Sequence, residues 1–363
     1  MKLLYITNGI DGSGGLERVL SVKASYLTEY YGYEVHLLEL NATAHKPFYD
    51  FSSAIQIHAI SAGGSALNYI KAYKKGIQEL TNQIKPDIIS VCDDGLKGFF
   101  LPHLIKTEAK WIYERHASIH LNTNSGLKGR FLRHLMNFSA ARFDRFVVLT
   151  PSNIKEWQGS NVIAIANPLS FISSEVSSLD RREVIAVGSH SHNKGYDLLL
   201  EAWKQIEKKY PDWRLTIYGK MDTKKTYPSL AQEYHLQNVR FESPVSNIRE
   251  KYLESSIMVL SSRSEGFGMV LIEAMECGVP CVSFDCPAGP RDIITTGVDG
   301  LLVPGEDSIA LAMALETLVT EKELRCRMGA EAKKNVRRFA PENIVGQWHA
   351  LFQELTKTNK TAN

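Results

Sequence analysis

The sequence predicts an α/β protein built from two doubly wound, parallel-sheet domains in tandem that face a central cleft. Three observations carry that reading. Short apolar runs alternate with stretches of helical spacing along most of the chain, and the alternation begins again after Asn167-Pro168. The 363 residues also exceed what a single hydrophobic core usually supports.

In the first half, "KLLYIT" reads as a strand and "GIDGSGG" as a glycine-rich turn, and "LERVLSVKASYLTEYYG" is a helix that stops on Gly32. "YEVHLLEL" and "IQIHAI" are further strands. A helix over "ALNYIKAYKKGIQELTNQIK" ends before Pro86, and "PDIISVC", "KWIYERH" and "RFVVLT" complete the set. Strands separated by helices call for a parallel sheet covered on both faces. The second half repeats the scheme. Strands are expected at "EVIAVGS", "WRLTIYG", "VRFESP", "IMVLSS" and "VPCVSFD", and helices at "GYDLLLEAWKQIEKKYP", "SLAQEYHL" and "IREKYLESS". Serine-rich residues 168–183 suit a linker. The expected domains are therefore 1–167 and 168–341. A C-terminal amphipathic helix, 342–358, would pack Trp348, Leu351 and Phe352 back onto the first domain, and "TNKTAN" would fray. Ligands of open α/β sheets bind outside the carboxyl ends of the strands, so the site is expected between the two domains.

Composition narrows the function. With 44% hydrophobic and 23% charged residues the chain is of ordinary soluble type, and a net charge of +2 is too close to neutral for a dedicated nucleic-acid binder. Five cysteines, without a paired C-x-x-C, fit buried reduced thiols in a reducing compartment rather than disulfides or zinc. No signal peptide or membrane-length apolar run is read, so a cytoplasmic protein is expected, with contact at the inner face of the plasma membrane as an option.

The most informative stretch is "RSEGFGMVLIEAMECGVP". Glu265 and Glu273 stand eight positions apart around a Gly266-Phe267-Gly268 bend, and a helix is expected to start near Gly268 or Met269. The glycines let backbone N–H groups approach a ligand, and a helix start attracts phosphate. Carboxylates are poor phosphate partners but good acceptors for vicinal diols. A ligand with phosphates flanked by diols is a nucleotide diphosphate sugar, with Glu273 on the ribose and Glu265 on the transferred sugar. The plainer alternative is a capped helix bearing two exposed glutamates.

Residues 261–304, "SSRSEGFGMVLIEAMECGVPCVSFDCPAGPRDIITTGVDGLLVP", resemble the signature of family 4 (group 1) retaining glycosyltransferases, two-domain enzymes of Rossmann-like GT-B architecture with a Glu, seven residues, Glu motif. "GGLERVL" at 14–20, "NP" at 167–168 and "VGSHSHNKGYDLLLEAW" at 187–203 extend the resemblance over nearly the whole chain. It implies that Glu265 contacts donor-sugar hydroxyls and Glu273 the ribose, and that Gly266, Phe267, Gly268, Met269 and Val270 line the sugar and diphosphate. It also implies that Gly14 and Gly15 approach the diphosphate and that Lys194 neutralises it. His116, at the end of a strand, matches a histidine that touches donor sugar or acceptor; a structural role is the alternative. The family usually places an arginine where this chain has Ser189, five before the lysine. Arg291 or Arg263 would supply the second cation, with His190 or His192 as weaker candidates.

The resemblance further implies retention of configuration without a protein nucleophile, the donor phosphate oxygen deprotonating the incoming hydroxyl. Catalysis is then positioning and charge stabilisation by His116, Glu265 and Lys194. No cofactor is expected beyond the nucleotide diphosphate sugar as co-substrate, taken as UDP-linked by family habit, and no metal: the adjacent Asp93-Asp94 is not an Asp-x-Asp. That pair reads as a polar loop, with acceptor contact as the alternative. His190-x-His192 lacks a third metal ligand. The expected acceptor is a surface-polysaccharide or lipid-linked glycan hydroxyl.

Residues 97–145 carry nine Lys/Arg against three Asp/Glu. The segment 126–145 is either a basic amphipathic helix on an anionic membrane or a core-packed helix with a solvated basic face. Competing functions are a nucleotide-sugar epimerase of similar architecture, a dinucleotide-dependent oxidoreductase, for which "GIDGSGG" lacks the G-x-G-x-x-G register, and a nucleotide-sugar sensor.

Overall fold

A computed structural model describes residues 1–40, 46–93, 95–119 and 126–357. The chain divides into two compact units, Met1–Ser170 with Pro341–Asn363, and Phe171–Ala340.

The first unit is a seven-stranded sheet of β1 (Lys2–Thr7), β2 (Glu34–Leu40), β3 (Gln56–Ile60), β4 (Ile88–Cys92), β5 (Lys110–Glu114), β6 (Arg145–Val148) and β7 (Val162–Ala164), ordered β3-β2-β1-β4-β5-β6-β7. Every pairing is parallel. The central strands are apolar and buried, as a sheet covered on both faces requires. Gly32, with φ of 65°, closes the helix Gly15–Tyr31 in the left-handed conformation that glycine adopts without strain. The helix Pro341–Lys357 returns to this unit. Its His349 stacks on Tyr31 at 4.2 Å and shares a hydrogen bond with Tyr33, and Trp348, Leu351 and Phe352 are buried.

The second unit contains β8 (Glu183–Val187), β9 (Arg214–Tyr218), β10 (Val239–Glu242), β11 (Ile257–Leu260), β12 (Cys281–Asp285) and β13 (Gly300–Pro304), ordered β10-β9-β8-β11-β12-β13 and again all parallel. Both sheets are Rossmann-like. Each reverses its strand order once, between β1 and β4 and between β8 and β11, and the crevice at such a point is where doubly wound sheets bind ligands.

The sequence reading passes over β7, β13, the helices Ser308–Thr320 and Lys322–Asn335, and the one-turn helices Leu101–Leu104, Pro151–Ile154 and Pro290–Ile293. The expected linker also differs. Residues beyond Phe171 are packed into the second unit, with Ser173 and Leu179 buried, Ser177 N–H donating to the Cys277 carbonyl at 2.8 Å and Ser177 Oγ to the Ser255 carbonyl at 2.6 Å. Serine hydroxyls satisfy backbone groups there and allow a polar-looking segment to be buried. Asp94 and the "TNKTAN" tail lie outside the described residues.

None of the five cysteines is joined in a disulfide, and four of them are buried. Burial pushes the Cys277 and Cys286 thiols up to about 12. A thiol-alkylating reagent at neutral pH is therefore expected to modify the half-buried Cys326 first and to leave the other four unmodified until the protein unfolds, as peptide mass mapping would read.

Candidate functional site

The loops that follow β8 and β11 carry the residues singled out in the second unit, and they straddle its switch point. The loop after β8 runs through Ser189 to Lys194, and the loop after β11 through Arg263 and Glu265. Backbone contacts sew the two together. Arg263 N–H donates to the Asn193 carbonyl at 2.8 Å, Asn193 Nδ2 to the Ser264 carbonyl at 2.8 Å, and Ser261 Oγ to the Lys194 carbonyl at 2.9 Å. Gly195 (φ 62°) is required here, because a methyl group at that position would collide with the Ser261 carbonyl. The result is an ion pair between Lys194 Nζ and Glu265 Oε1 at 2.7 Å, largely buried, with side-chain exposures of 21% and 12%. Glu265 takes one of the three N–H bonds of the ammonium.

The bend after Glu265 leads into the helix Met269–Glu276, with Gly268 (φ 103°) at its N-cap. Phe267 is an anchor: its ring meets Phe339 edge-on at 5.4 Å, and its carbonyl lies so close to Gly289 that a side chain there would collide with it. Gly266, Met269 and Val270 remain half-buried at the helix start. Glu273 is buried, 1% exposed, and accepts a hydrogen bond from Tyr252 Oη at 3.2 Å. The two glutamates thus differ: Glu265 is held by a cation at the loop, and Glu273 by a phenol beneath the helix.

Neither arginine proposed as the second cation is a spare charge. Arg263 makes a two-pronged pair with Asp197, at 3.0 and 2.7 Å, a third bond to Glu306 at 2.9 Å and a fourth to the His192 carbonyl at 2.7 Å. It is a strut that ties the two loops to the helix Tyr196–Lys209. Arg291 pairs with Asp285 in the same two-pronged way, at 2.8 and 3.0 Å, but is half exposed. His190 is buried edge-on against Tyr196, Tyr227 and Phe241, and burial lowers its pKa, so it is a neutral aromatic-cluster residue at physiological pH. His192 and Ser189 are exposed. With His190 inside that cluster and His192 outside it, the pair does not form a metal site. An exposed pair contributes little, so Arg291→Ala should change stability by less than about 1 kcal/mol in urea unfolding. Unchanged nucleotide-sugar affinity and turnover would remove Arg291 as the second cation.

In the first unit, Gly14 caps the helix Gly15–Tyr31 after the β1 loop, which is held by Ile10 N–H donating to Glu39 at 2.9 Å and Tyr49 Oη donating to the Ser13 carbonyl at 2.9 Å. The Glu17 carboxylate lies against Gly12 and Gly14. His116 follows β5, in a turn shaped by Arg115 donating to the Ala117 and Ser118 carbonyls at 2.9 and 3.1 Å. Its Nε2 stands 3.5 Å from Glu114 Oε2. Glu114 in turn binds Lys23 Nζ and accepts from Ser90 Oγ at 2.6 Å. Lys23 and Glu114 are each 1% exposed, and Lys23 Nζ lies 4.1 Å from the Trp348 ring centroid. Burial by itself would raise the Glu114 carboxyl, but the Lys23 charge and His116 outweigh it and hold it at about 2. Cys92, Glu114 and His116 are grouped closely enough to hold a metal ion. Lys23 already compensates the carboxylate, and a divalent ion would face its ammonium.

Sequence reading passes over Lys23 and Glu114, although a signal was there. Leu16, Val19, Leu20, Lys23, Ala24 and Leu27 follow helical spacing, which puts Lys23 on the buried face, and Glu114 directly follows the apolar run Trp111-Ile112-Tyr113.

The basic segment is core-packed on one side and exposed on the other. In the helix Leu127–Ala140, Met136 and Ala140 join the core, while Leu127, Phe131 and Phe138 are 78%, 71% and 56% exposed among the exposed Lys128, Arg130 and Arg133. Among the described residues no helix is long and apolar enough to cross a membrane.

Two Rossmann-like units are also the fold of the GT-B glycosyltransferases. A TarM structure from S. aureus, in complex with fondaparinux, alpha-GlcNAc-glycerol and UDP, superposes with a TM-score of 0.82 at 14% identity, covering 97% of this chain and 99% of that one. Residues 171–335 match the family model Glycosyl transferases group 1, so the second unit is a group 1 glycosyltransferase domain. Over whole chains, 28% identity is shared with an uncharacterized glycosyltransferase of Haemophilus influenzae, across 97% of this chain and 99% of that protein. The amylovoran biosynthesis glycosyltransferase AmsD of Erwinia amylovora is also 28% identical, at the same coverage. The group 1 resemblance and the GT-B fold read from the sequence are borne out, and the epimerase alternative draws no support from these relatives.

Proposed function

We propose that the protein is a family 4 enzyme that transfers a hexose or N-acetylhexosamine, with retention of configuration and without a metal ion, from a UDP-linked sugar to a hydroxyl of a surface-polysaccharide or lipid-linked glycan. The observation that carries this is the Lys194–Glu265 pair at the β8/β11 switch point, beside a glycine-bounded helix start. The chemistry follows from the groups present. Backbone N–H groups from Gly266 to Met269 and the Lys194 ammonium receive the diphosphate, and the amine stabilises the charge that develops as the nucleotide leaves. Glu265 accepts from the sugar hydroxyls and Glu273 from the ribose. His116 donates to, or accepts from, a sugar hydroxyl, its ring steadied by Glu114. AmsD, named for amylovoran biosynthesis, and the UDP and alpha-GlcNAc-glycerol in the TarM structure support the acceptor and donor classes.

A thermal-shift panel of nucleotide sugars tests the donor. A ligand at 100 times its dissociation constant stabilises by about 2.7 kcal/mol, so one UDP-sugar is expected to raise the melting temperature clearly above its neighbours. No shift with any nucleotide sugar would sink the reading. The exposed apolar and basic residues of Leu127–Ala140 favour a cytoplasmic protein that touches the inner face of the plasma membrane. Co-sedimentation with anionic vesicles at low salt checks this, and an equal yield with neutral vesicles would count against it.

A further inference from the structure

One guanidinium holds three loops of the second unit together. Arg263 stands two residues before Glu265 in the loop after β11, and its side chain is 16% exposed. Its Nη1 donates to the His192 carbonyl and to Asp197 Oδ1, its Nη2 to Asp197 Oδ2, and its Nε to Glu306 Oε2. Its backbone N–H meets the Asn193 carbonyl. His192 and Asn193 lead directly into Lys194, so this one residue fixes the approach to both members of the Lys194–Glu265 pair. Glu306 lies just beyond β13 and brings the loop there onto the other two.

Charge compensation needs only one of the two carboxylates. Asp197 meets the guanidinium in the two-pronged geometry that suits it best. Burial by itself would raise the Asp197 carboxyl, but its hydrogen bonds with Arg263 and the Arg263 charge outweigh it and keep it below the usual range. Glu306 is therefore redundant as a counter-ion, and at 60% exposure its ion pair adds little stability. Yet it stands in left-handed backbone, with φ of 63°. That conformation is unfavourable for a glutamate and free of strain for a glycine. A side chain kept at a strained position for a weak contact is there for what the contact holds in place.

We propose that Arg263 is a positioning residue of the donor site and that Glu306 is its latch. Through the His192 and Asn193 carbonyls Arg263 sets where Lys194 meets Glu265, and Glu306 keeps the fork from turning out of that geometry. The inference rests on the donor reading of Lys194 and Glu265 and adds residues that act through that pair.

The test uses the full chain and two variants. Glu306→Gly removes the latch and relaxes the backbone, and Arg263→Lys keeps the charge but loses the fork. Hydrogen exchange read by mass spectrometry is expected to be about tenfold faster over 189–195 and 261–266 in both variants, and unchanged over β8 and β11. The melting temperature of Glu306→Gly should stay within about 4 °C of the native value. With the UDP-sugar that gives the largest thermal shift, kcat should fall about threefold in Glu306→Gly and about tenfold in Arg263→Lys. KM should stay within about twofold, because a small displacement of groups that face developing charge costs rate more than binding. Should Arg263→Lys fail to fold, Glu306→Gly carries the test by itself. Native exchange rates in both loops, or native kcat in the folded variants, overturn the proposal. A native protein that transfers no sugar strikes the donor reading instead, and the loop exchange rates still judge the latch.

Discussion

Replacing Lys194 by methionine is expected to slow sugar transfer by about 10²–10³-fold, the usual loss when one preorganised group facing developing charge is removed. The contacts around this side chain make the expectation specific. Lys194 ends a short turn fixed by Ser261, Asn193 and Gly195, so the ammonium is held before any ligand arrives. Its partner Glu265 lies 2.7 Å away, and both are largely shielded from water, where a charge acts with less screening. Methionine keeps the length of the stem and removes the charge. Initial rates of nucleotide release, with the UDP-sugar that gives the largest thermal shift, provide the measurement. The loss should fall mainly on kcat, since a departing diphosphate carries more charge than the bound donor. A fall of less than threefold in kcat/KM would take Lys194 out of the mechanism. Lys194→Arg retains charge but not the compact point geometry, and partial recovery is expected.

Lys23→Met is expected to destabilise the first unit by about 3–5 kcal/mol, because it leaves the Glu114 carboxylate buried and uncompensated. Lowering the melting temperature by on the order of 10 °C would match that loss in a unit of this size. The double variant Lys23→Met, Glu114→Gln should recover most of the stability, since a neutral amide can keep the Ser90 hydrogen bond. Acid adds an independent check. Glu114 titrates at about 2 in the folded protein, below its ordinary 4.5, so the folded state binds this proton less readily than the unfolded chain. The stability this group contributes is therefore fully present above about pH 4.5 and is lost as pH falls toward about 2. Urea midpoints between pH 7 and pH 3 should fall in the native protein, and should fall less in the double variant. Equal stability of native protein and Lys23→Met at pH 7 would show that the pair contributes nothing.

Much of the second unit's candidate site was legible because its elements are local. Gly266, Gly268 and the glutamate spacing announce a bend and a helix start within nine residues, and the helix begins at Met269 as read. Lys194, in a short turn between a strand and a helix, was marked by the family resemblance. Charges whose partners lie far along the chain were not. Nothing around Arg263 reveals that Asp197 and Glu306 claim it, and nothing around His190 reveals the three rings that keep it neutral. The helices Ser308–Thr320 and Lys322–Asn335 are strong elements that lie beyond the motif-bearing stretches.

By itself the sequence determined the repeating strand–helix order, the parallel sheets that follow from it, and the short glycine-bearing loop and helix start around Glu265. Periodicity and turn chemistry act over a few residues, so they survive without the fold. Only the tertiary structure decided which charges are spare and which are spent. Lys194 meets Glu265 across 71 positions, and Lys23 meets Glu114 across 91. Those pairings depend on which strands become neighbours at a switch point, and strand order is a property of the assembled sheet rather than of any local stretch of chain.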